Sequence, residues 1–525
     1  MGSARRQSLC RLNWASHPRI FAKGFSSRSH ILTSKFAGRG EGIEVVNSVR
    51  KFSDQVCVSL VRLGFTHCFT VAGGNSMHLT ASAAEHFVMV PFVHEGSAGI
   101  ASEYFTHLSE HEKAFVLVTT GPGLTNLATA VAGAWFESRE LLVIAGAVKS
   151  SDLRGKSKIR QRGIQELSGG DLFHNFSKAH SLLEEPVSSL AFERIVRKGG
   201  EGRKGPVVVE ICLDAQASLS PPKEDQEQSG EGTEHAQHKT RDSDFQLMVD
   251  EVWSKVATSE RPVILIGGGV NRGVVRELEA QISRLGVPIL LTWNAADYLS
   301  VESPMNFGRP GKWGQRTANM IIQQADFVLS LGARLGLQQT GFNWKSFVPN
   351  GKVWAMNIDS EELDKGHPEV ERGIVGDSSV ALRRLLQIGK SKATWGHWAD
   401  YCRSIWSRFP TNLENRPPTS GFVRPSWVVT QLTRYADPDC VFVPSSSGTA
   451  EIAMMQNIEI RNNQRVLLNA GLASMGYALP GAIGVAIANP GRQVVCFEGD
   501  GSIAQSLSEF SMLKEKSLNL KVFVL

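Results

Sequence analysis

Gly499-Asp500-Gly501-Ser502 brings together groups that could hold a phosphate and a metal ion. Glycines let the backbone approach a phosphate closely, the helix predicted over residues 503–513 would offer free N–H groups at its start, and the Asp500 carboxylate can bind a hard divalent cation through oxygen. The apolar run at 492–497 reads as a buried strand, so the turn sits between strand and helix. One carboxylate does not make an octahedral magnesium site; phosphate oxygens, a carbonyl, water and a second side chain supply the rest. Taken alone, such a turn is as readily a tight connection as a site.

Other stretches add chemistry. His94-Glu95 opens a helical pattern, Gly121-Pro122-Gly123 makes a turn, Ser447-Gly448-Thr449 precedes a helix that could donate to a diphosphate, and Gly471 and Gly476 flank Met475. Read singly, Glu95 is an exposed charge on a surface helix, Met475 a core methionine and Lys178 a solvated helix residue. In this order along the chain the motifs resemble those of the thiamine diphosphate enzyme superfamily. Over about residues 42–525 the chain is most similar to acetolactate synthase large subunits, through 72–79, 160–166 and 332–347 as well.

The resemblance implies roles. Glu95 would hydrogen-bond the aminopyrimidine nitrogen of thiamine diphosphate, a task that a burial-raised pKa would serve. Gly121, Pro122 and Gly123 would border the cofactor, and Gly471 and Met475 would hold it bent. Ser447, Gly448, Thr449, Gly499, Asp500, Gly501 and Ser502 would take its diphosphate, with Asp500 a ligand of Mg2+. Gln165 and Lys178 would face the substrate. The implied reaction is decarboxylation of a 2-keto acid such as pyruvate and carboligation to a second carbonyl, as in branched-chain amino acid biosynthesis, with a 2-keto acid decarboxylase or 2-hydroxyacyl lyase as the alternative. The resemblance also implies a homodimer or homotetramer in which Glu95 of one chain faces Asp500 of another, a regulatory subunit, and FAD in the middle domain unless that domain is purely structural. Two departures stand out. Ala473 occupies a position usually glycine in the relatives, and would be strained if a positive φ is required there. The family's paired Asn would follow the strand at 521–525, so a C-terminally truncated diphosphate domain is expected, and with it a non-catalytic fragment or scaffold as the alternative of a different class.

The elements that must position these groups follow from composition and pattern. The 525 residues are 42% hydrophobic and 20% charged, enough for about three globular domains, and no apolar run reaches membrane-spanning length. Seven scattered cysteines lack metal-binding or redox spacing and fit structural thiols in a reducing compartment. The net charge of +5 comes from residues 1–40, which hold eight Lys and Arg and no acid and leave about −3 for the remainder. A nucleic-acid surface is therefore not implied. That serine-rich basic leader has the pattern of a mitochondrial transit peptide, placing the enzyme in the matrix, with a disordered tail on a cytoplasmic protein as the alternative. Alternating apolar runs and helical patterns predict an α/β protein with three doubly wound parallel sheets: an N-terminal pyrimidine-binding domain over 42–218, a disordered linker over 219–243, a middle domain over 244–390, a connector over 391–420 whose Trp395, Trp398 and Trp406 pack on a neighbour, and a diphosphate-binding domain over 421–525. In the middle domain Gly267-Gly268-Gly269 and Asp359 could face a nucleotide.

Overall fold

The structure, a computed structural model, describes residues 51–525 apart from 110, 222–241, 390–394, 412–416, 419–420, 447 and 462. The predicted leader, most of the predicted linker and Ser447 lie outside the described residues. The apolar runs form three parallel sheets. The first contains β1 (Phe65–Thr70), β2 (Val88–Pro91), β3 (Lys113–Thr119), β4 (Leu141–Ala147), β5 (Ala179–Leu183) and β6 (Pro206–Cys212), in the order β2-β1-β3-β4-β6-β5. The second contains β7 (Pro262–Ile266), β8 (Ile289–Leu291), β9 (Phe327–Leu331), β10 (Lys352–Asn357) and β11 (Arg372–Val375), in the order β11-β10-β9-β7-β8. The third contains β12 (Val441–Pro444), β13 (Arg465–Val466), β14 (Val494–Glu498) and β15 (Leu520–Val524), in the order β13-β12-β14-β15.

Central strands such as β4, β6 and β9 are buried along their whole length, as expected where helices cover both faces of a parallel sheet. In the first sheet the chain moves outward on one side from β1 to β2 and on the other from β1 to β3. In the third sheet it does the same from β12 to β13 and from β12 to β14. Loops at the carboxyl ends of such diverging strands separate and open a crevice, the usual ligand position of this architecture.

The continuous helix predicted over 503–513 is instead broken. A short helix Asp500–Ala504 ends before Ser506, whose φ of −128° leaves the helical region, and a 3-10 turn at Leu507–Glu509 leads into a second helix, Phe510–Lys516. The break turns the carboxylate of Glu509 toward the backbone N–H groups of Val93 (3.4 Å) and His94 (3.2 Å). The predicted connector supplies the helix Gly396–Arg408, whose Trp395 and Trp398 join the middle core and donate indole N–H bonds to the carbonyls of Ser259 and Pro262.

The middle sheet has its own core, whereas one continuous core is shared by the first and third sheets. It forms where helix Glu95–Leu108 lies against helix Ala478–Ala488. Small residues allow this approach: a Cβ at Gly484 would stand 2.1 Å from the Ala101 carbonyl oxygen, and one at Gly133 would strike the Tyr477 hydroxyl at 2.2 Å. Within this core the Arg139 guanidinium donates to Glu103 (2.9 Å) and to the Leu468 carbonyl (2.8 Å), while the Tyr477 hydroxyl donates to the other Glu103 oxygen. Burial pushes the Glu103 carboxyl up, and Arg139 and Tyr477 oppose that by favouring its anion. Removing one member of a buried pair leaves the other charge uncompensated. Arg139→Ala should therefore destabilise the protein by about 3–5 kcal/mol, read as a fall in thermal midpoint, whereas exchange of the exposed Arg383 of the Arg383–Glu277 pair should leave the midpoint nearly unchanged.

Candidate functional site

At the carboxyl edge of the first sheet three loops converge. A Cβ at Gly73 would lie 2.4 Å from Thr119 Cβ, and one at Gly146 would lie 2.0 Å from the Asn75 carbonyl oxygen, so the turn after β1 sits directly on the ends of β3 and β4. Gly121 has φ 67°, and a Cβ there would meet the Gln165 carbonyl oxygen at 2.6 Å; glycine is the one residue that suits both constraints. Pro122 then starts the short helix Pro122–Asn126, with Gly123 buried behind it. Gln165 is exposed and itself has φ 63°, unusual for a residue with a side chain. Its neighbour Glu166 keeps the surrounding loop in shape by accepting from the N–H groups of Arg154, Arg162 (2.7 Å) and Gly163 (3.2 Å). Burial raises the Glu166 pKa, but those N–H bonds, together with the Arg154 charge, prevail and hold the carboxyl below its usual range.

Glu95 is the first residue of its helix, and the His94 ring caps that helix by accepting from the Gly96 N–H (3.1 Å). The half-buried Glu95 carboxylate accepts one bond, from the Asn126 amide at 2.8 Å. The structure thus gathers Glu95, Gly121, Pro122, Gly123 and Gln165 at one sheet edge. It does not bring Lys178 there. Lys178 precedes β5, and its ammonium donates to the carbonyls of Glu201 and Arg203 (2.9 Å) beside the start of β6, at the opposite end of the sheet. Holding that loop accounts for this lysine.

At the carboxyl edge of the third sheet a second set converges. Gly499 caps the helix Asp500–Ala504, and one Asp500 oxygen accepts the Gly501 N–H at 2.7 Å while the side chain stays exposed. The Ser502 hydroxyl accepts from the Gly476 N–H (2.9 Å) and lies 3.4 Å from the Ser445 hydroxyl, tying the turns after β12, β13 and β14 together. Gly448, at φ 75°, opens the helix Gly448–Asn457, and Thr449 is exposed beside it. Met475 is 47% exposed, and a Cβ at Gly501 would stand 3.9 Å from its sulfur. This departs from an ordinary core methionine. Ala473 adopts φ 54°, the strained conformation anticipated from its departure from glycine.

These residues fit a diphosphate and a cation. Among the described residues Ser446 Oγ is buried without a partner just before the exposed helix start at Gly448 and Thr449, and the Gly501 N–H engages only one of the two Asp500 carboxylate oxygens. Among the described residues no three His, Cys, Asp or Glu side chains cluster as a metal site, so a cation at Asp500 would draw further ligands from the diphosphate. The residues singled out for a nucleotide have structural partners. Gly267 and Gly269 allow the loops after β7 and β9 to touch, with the Gly269 N–H donated to the Gly332 carbonyl (2.8 Å), and Asp359 caps a helix and pairs with Arg203 at 2.6 Å.

Sequence reasoning missed Asn126, Ser446 and Glu509. Asn126 lies three residues beyond Gly123, but spacing alone does not show that it meets Glu95. It also missed Glu451, on the helix after Gly448, whose buried carboxyl has one oxygen without a partner and is pushed up to about 8 by burial and by the nearby Glu137. A raised carboxyl pKa contributes stability that is fully present below the unfolded value of about 4.3 and is lost as the pH rises to about 8. Glu451→Gln should therefore raise the thermal midpoint at pH 8 and change it little at pH 4.5.

Comparison with known proteins supplies the frame for this geometry. Residues 50–172 match the N-terminal TPP binding domain of thiamine pyrophosphate enzymes, 249–385 the central domain and 446–525 the C-terminal TPP binding domain. The acetolactate synthase large subunit of Corynebacterium glutamicum is 28% identical over 439 residues, covering 82% of this chain and 67% of that protein. Acetolactate synthase 1, chloroplastic, of Zea mays is 28% identical over 485 residues, covering 91% and 73%. The isozyme 1 large subunit of acetolactate synthase from Escherichia coli is 27% identical over 434 residues, covering 82% and 73%. The three matched segments fall in turn on the three parallel sheets, and the chain belongs to the thiamine pyrophosphate enzyme family.

Proposed function

We propose that this chain uses thiamine diphosphate and Mg2+ to decarboxylate a 2-keto acid and join the remaining fragment to a second carbonyl, as its similarity to acetolactate synthases supports. The observation that carries the reading is the half-buried Glu95 at a helix start, oriented by Asn126 in a crevice where the sheet diverges. Bound thiamine diphosphate supplies the electron sink that stabilises a carbanion at the former carbonyl carbon. Glu95 holds and returns the proton at the aminopyrimidine ring nitrogen, and Asn126 fixes the oxygen it does not use. Ser446 Oγ and the N–H groups opening the helix at Gly448 bind the diphosphate, and Asp500 holds the cation. Met475 presents an exposed apolar side chain that would pack against the bound cofactor. Gln165, projecting beside Gly121, faces the substrate.

Within the chain the hydrogen-bond partner of Glu95 is Asn126 and that of Asp500 is the Gly501 N–H. We place the complete site between two copies, Glu95 from one and Asp500 from the other. On the strength of the basic leader we assign the enzyme to the mitochondrial matrix.

Calorimetric titration with thiamine diphosphate and Mg2+, followed by assays with pyruvate, tests the reading. Saturable, metal-dependent binding and carbon dioxide release are expected. Glu95→Gln should cut turnover by about 10²–10⁴-fold while cofactor affinity stays within a few-fold. Aldehyde as the sole product would replace carboligation by simple decarboxylation, and binding without turnover would favour a scaffold role.

A further inference from the structure

The loop from Gly471 to Met475 is held at both ends by hydrogen bonds, and only one of its anchors lies in its own sheet. At its far end the Gly476 N–H donates to Ser502. At its near end the Gly471 N–H donates to Glu137 Oε1 at 2.5 Å, and Glu137 belongs to the first sheet's helix Ala128–Glu137. A carboxylate at a helix C-terminus is disfavoured by the helix dipole, and the side chain of Glu137 is only 1% exposed. Two donors and one ion pair offset this: the Gly471 N–H, the Asn294 amide at 2.6 Å from the loop after β8, and the Arg139 guanidinium at the longer distance of 4.0 Å. Gly471 has no room for a larger residue, since a Cβ there would lie 2.8 Å from Phe136 Cβ. Asn469 Oδ1 adds weaker bonds from the N–H groups of Leu472 (3.3 Å) and Ala473 (3.4 Å). Between the anchors sits Ala473 in its left-handed conformation, which a free loop would leave.

We infer that Glu137 is a positioning residue: it fixes Gly471, and so holds Ala473 in its strained conformation and Met475 in its exposed position, while Asn294 of the middle domain secures its second oxygen. The placement of the proposed cofactor wedge thus depends on all three sheets. This rests on the thiamine diphosphate reading for its functional consequence, but not for the anchoring itself.

Two readouts separate these. Hydrogen exchange of the full chain without cofactor, followed in a peptide spanning 469–476 and in a control peptide from helix Ala478–Ala488, tests the anchor. Glu137→Gln should speed exchange of the loop peptide about tenfold and leave the control peptide nearly unchanged. Thiamine diphosphate affinity in the presence of Mg2+ should weaken about tenfold in the same variant, and Ala473→Gly, which removes the strain, should restore part of it. Asn294 is exposed, so Asn294→Ala keeps the fold and should speed loop exchange a few-fold even if the Glu137 variant does not fold. Unchanged loop exchange in Asn294→Ala, or in a folded Glu137→Gln, would overturn the anchor, as would equal loss of protection in the control peptide. If the native protein bound no thiamine diphosphate, the functional reading would fail while the exchange result still judged the anchor.

Discussion

Everything at the two sheet edges depends on how closely helix Glu95–Leu108 can lie against helix Ala478–Ala488. The approach is set by the absence of side chains: Gly484 meets the Ala101 carbonyl, Gly481 meets the Tyr104 ring and Gly133 meets the Tyr477 hydroxyl, each at a separation that a Cβ would make impossible. Close packing of this kind tolerates little adjustment, because a methyl group added at such a contact forces backbone to move. The two helices therefore fix the first and third sheets relative to each other. Glu95 begins one of these helices, and the Gly476–Ser502 contact lies just ahead of the other.

Polar groups then complete what the glycines allow. Glu103, Arg139 and Tyr477 form a buried network whose members come from both sheets, and Arg139 reaches on to the Leu468 carbonyl shortly before the Gly471 loop. A buried charge is tolerable only with its partners in place, so the network penalises misalignment more than it rewards contact. Glu509 works in the same sense from the other side: burial pushes its carboxyl up, and the N–H groups of Val93 and His94 favour the anion just ahead of Glu95.

Much of this architecture could be read from the residues. Runs such as 327–331 and 206–211 are apolar except at Ser330 and Glu210 because both faces are covered, and they form central strands. The edge strands β5, β11 and β13 carry no such signal, since they mix polar and apolar residues and owe their existence to a neighbour's hydrogen bonds rather than to their own pattern. Among the proposed site residues, Glu95 and Asp500 lie in local motifs, which a reading of the sequence can single out. Asn126, Ser446 and Glu137 act through partners remote in sequence or through an unfilled valence, which no spacing reveals. Lys178 shows the complementary limit: its position along the chain matches, but it stands at the start of β5, so the length of that strand separates it from the carboxyl edge.

The shared core also imposes an order on synthesis. The helix Glu95–Leu108 is made several hundred residues before Ala478–Ala488, an interval on the order of tens of seconds at ordinary elongation rates. During that time the nascent first sheet carries an uncovered face of small and aromatic residues. Glu103, however, already has Arg139 from the same early segment, so its charge is paired before Tyr477 arrives. The first sheet can therefore wait with its buried ion pair formed and one apolar face open, and a segment made several hundred residues later is the one that closes it.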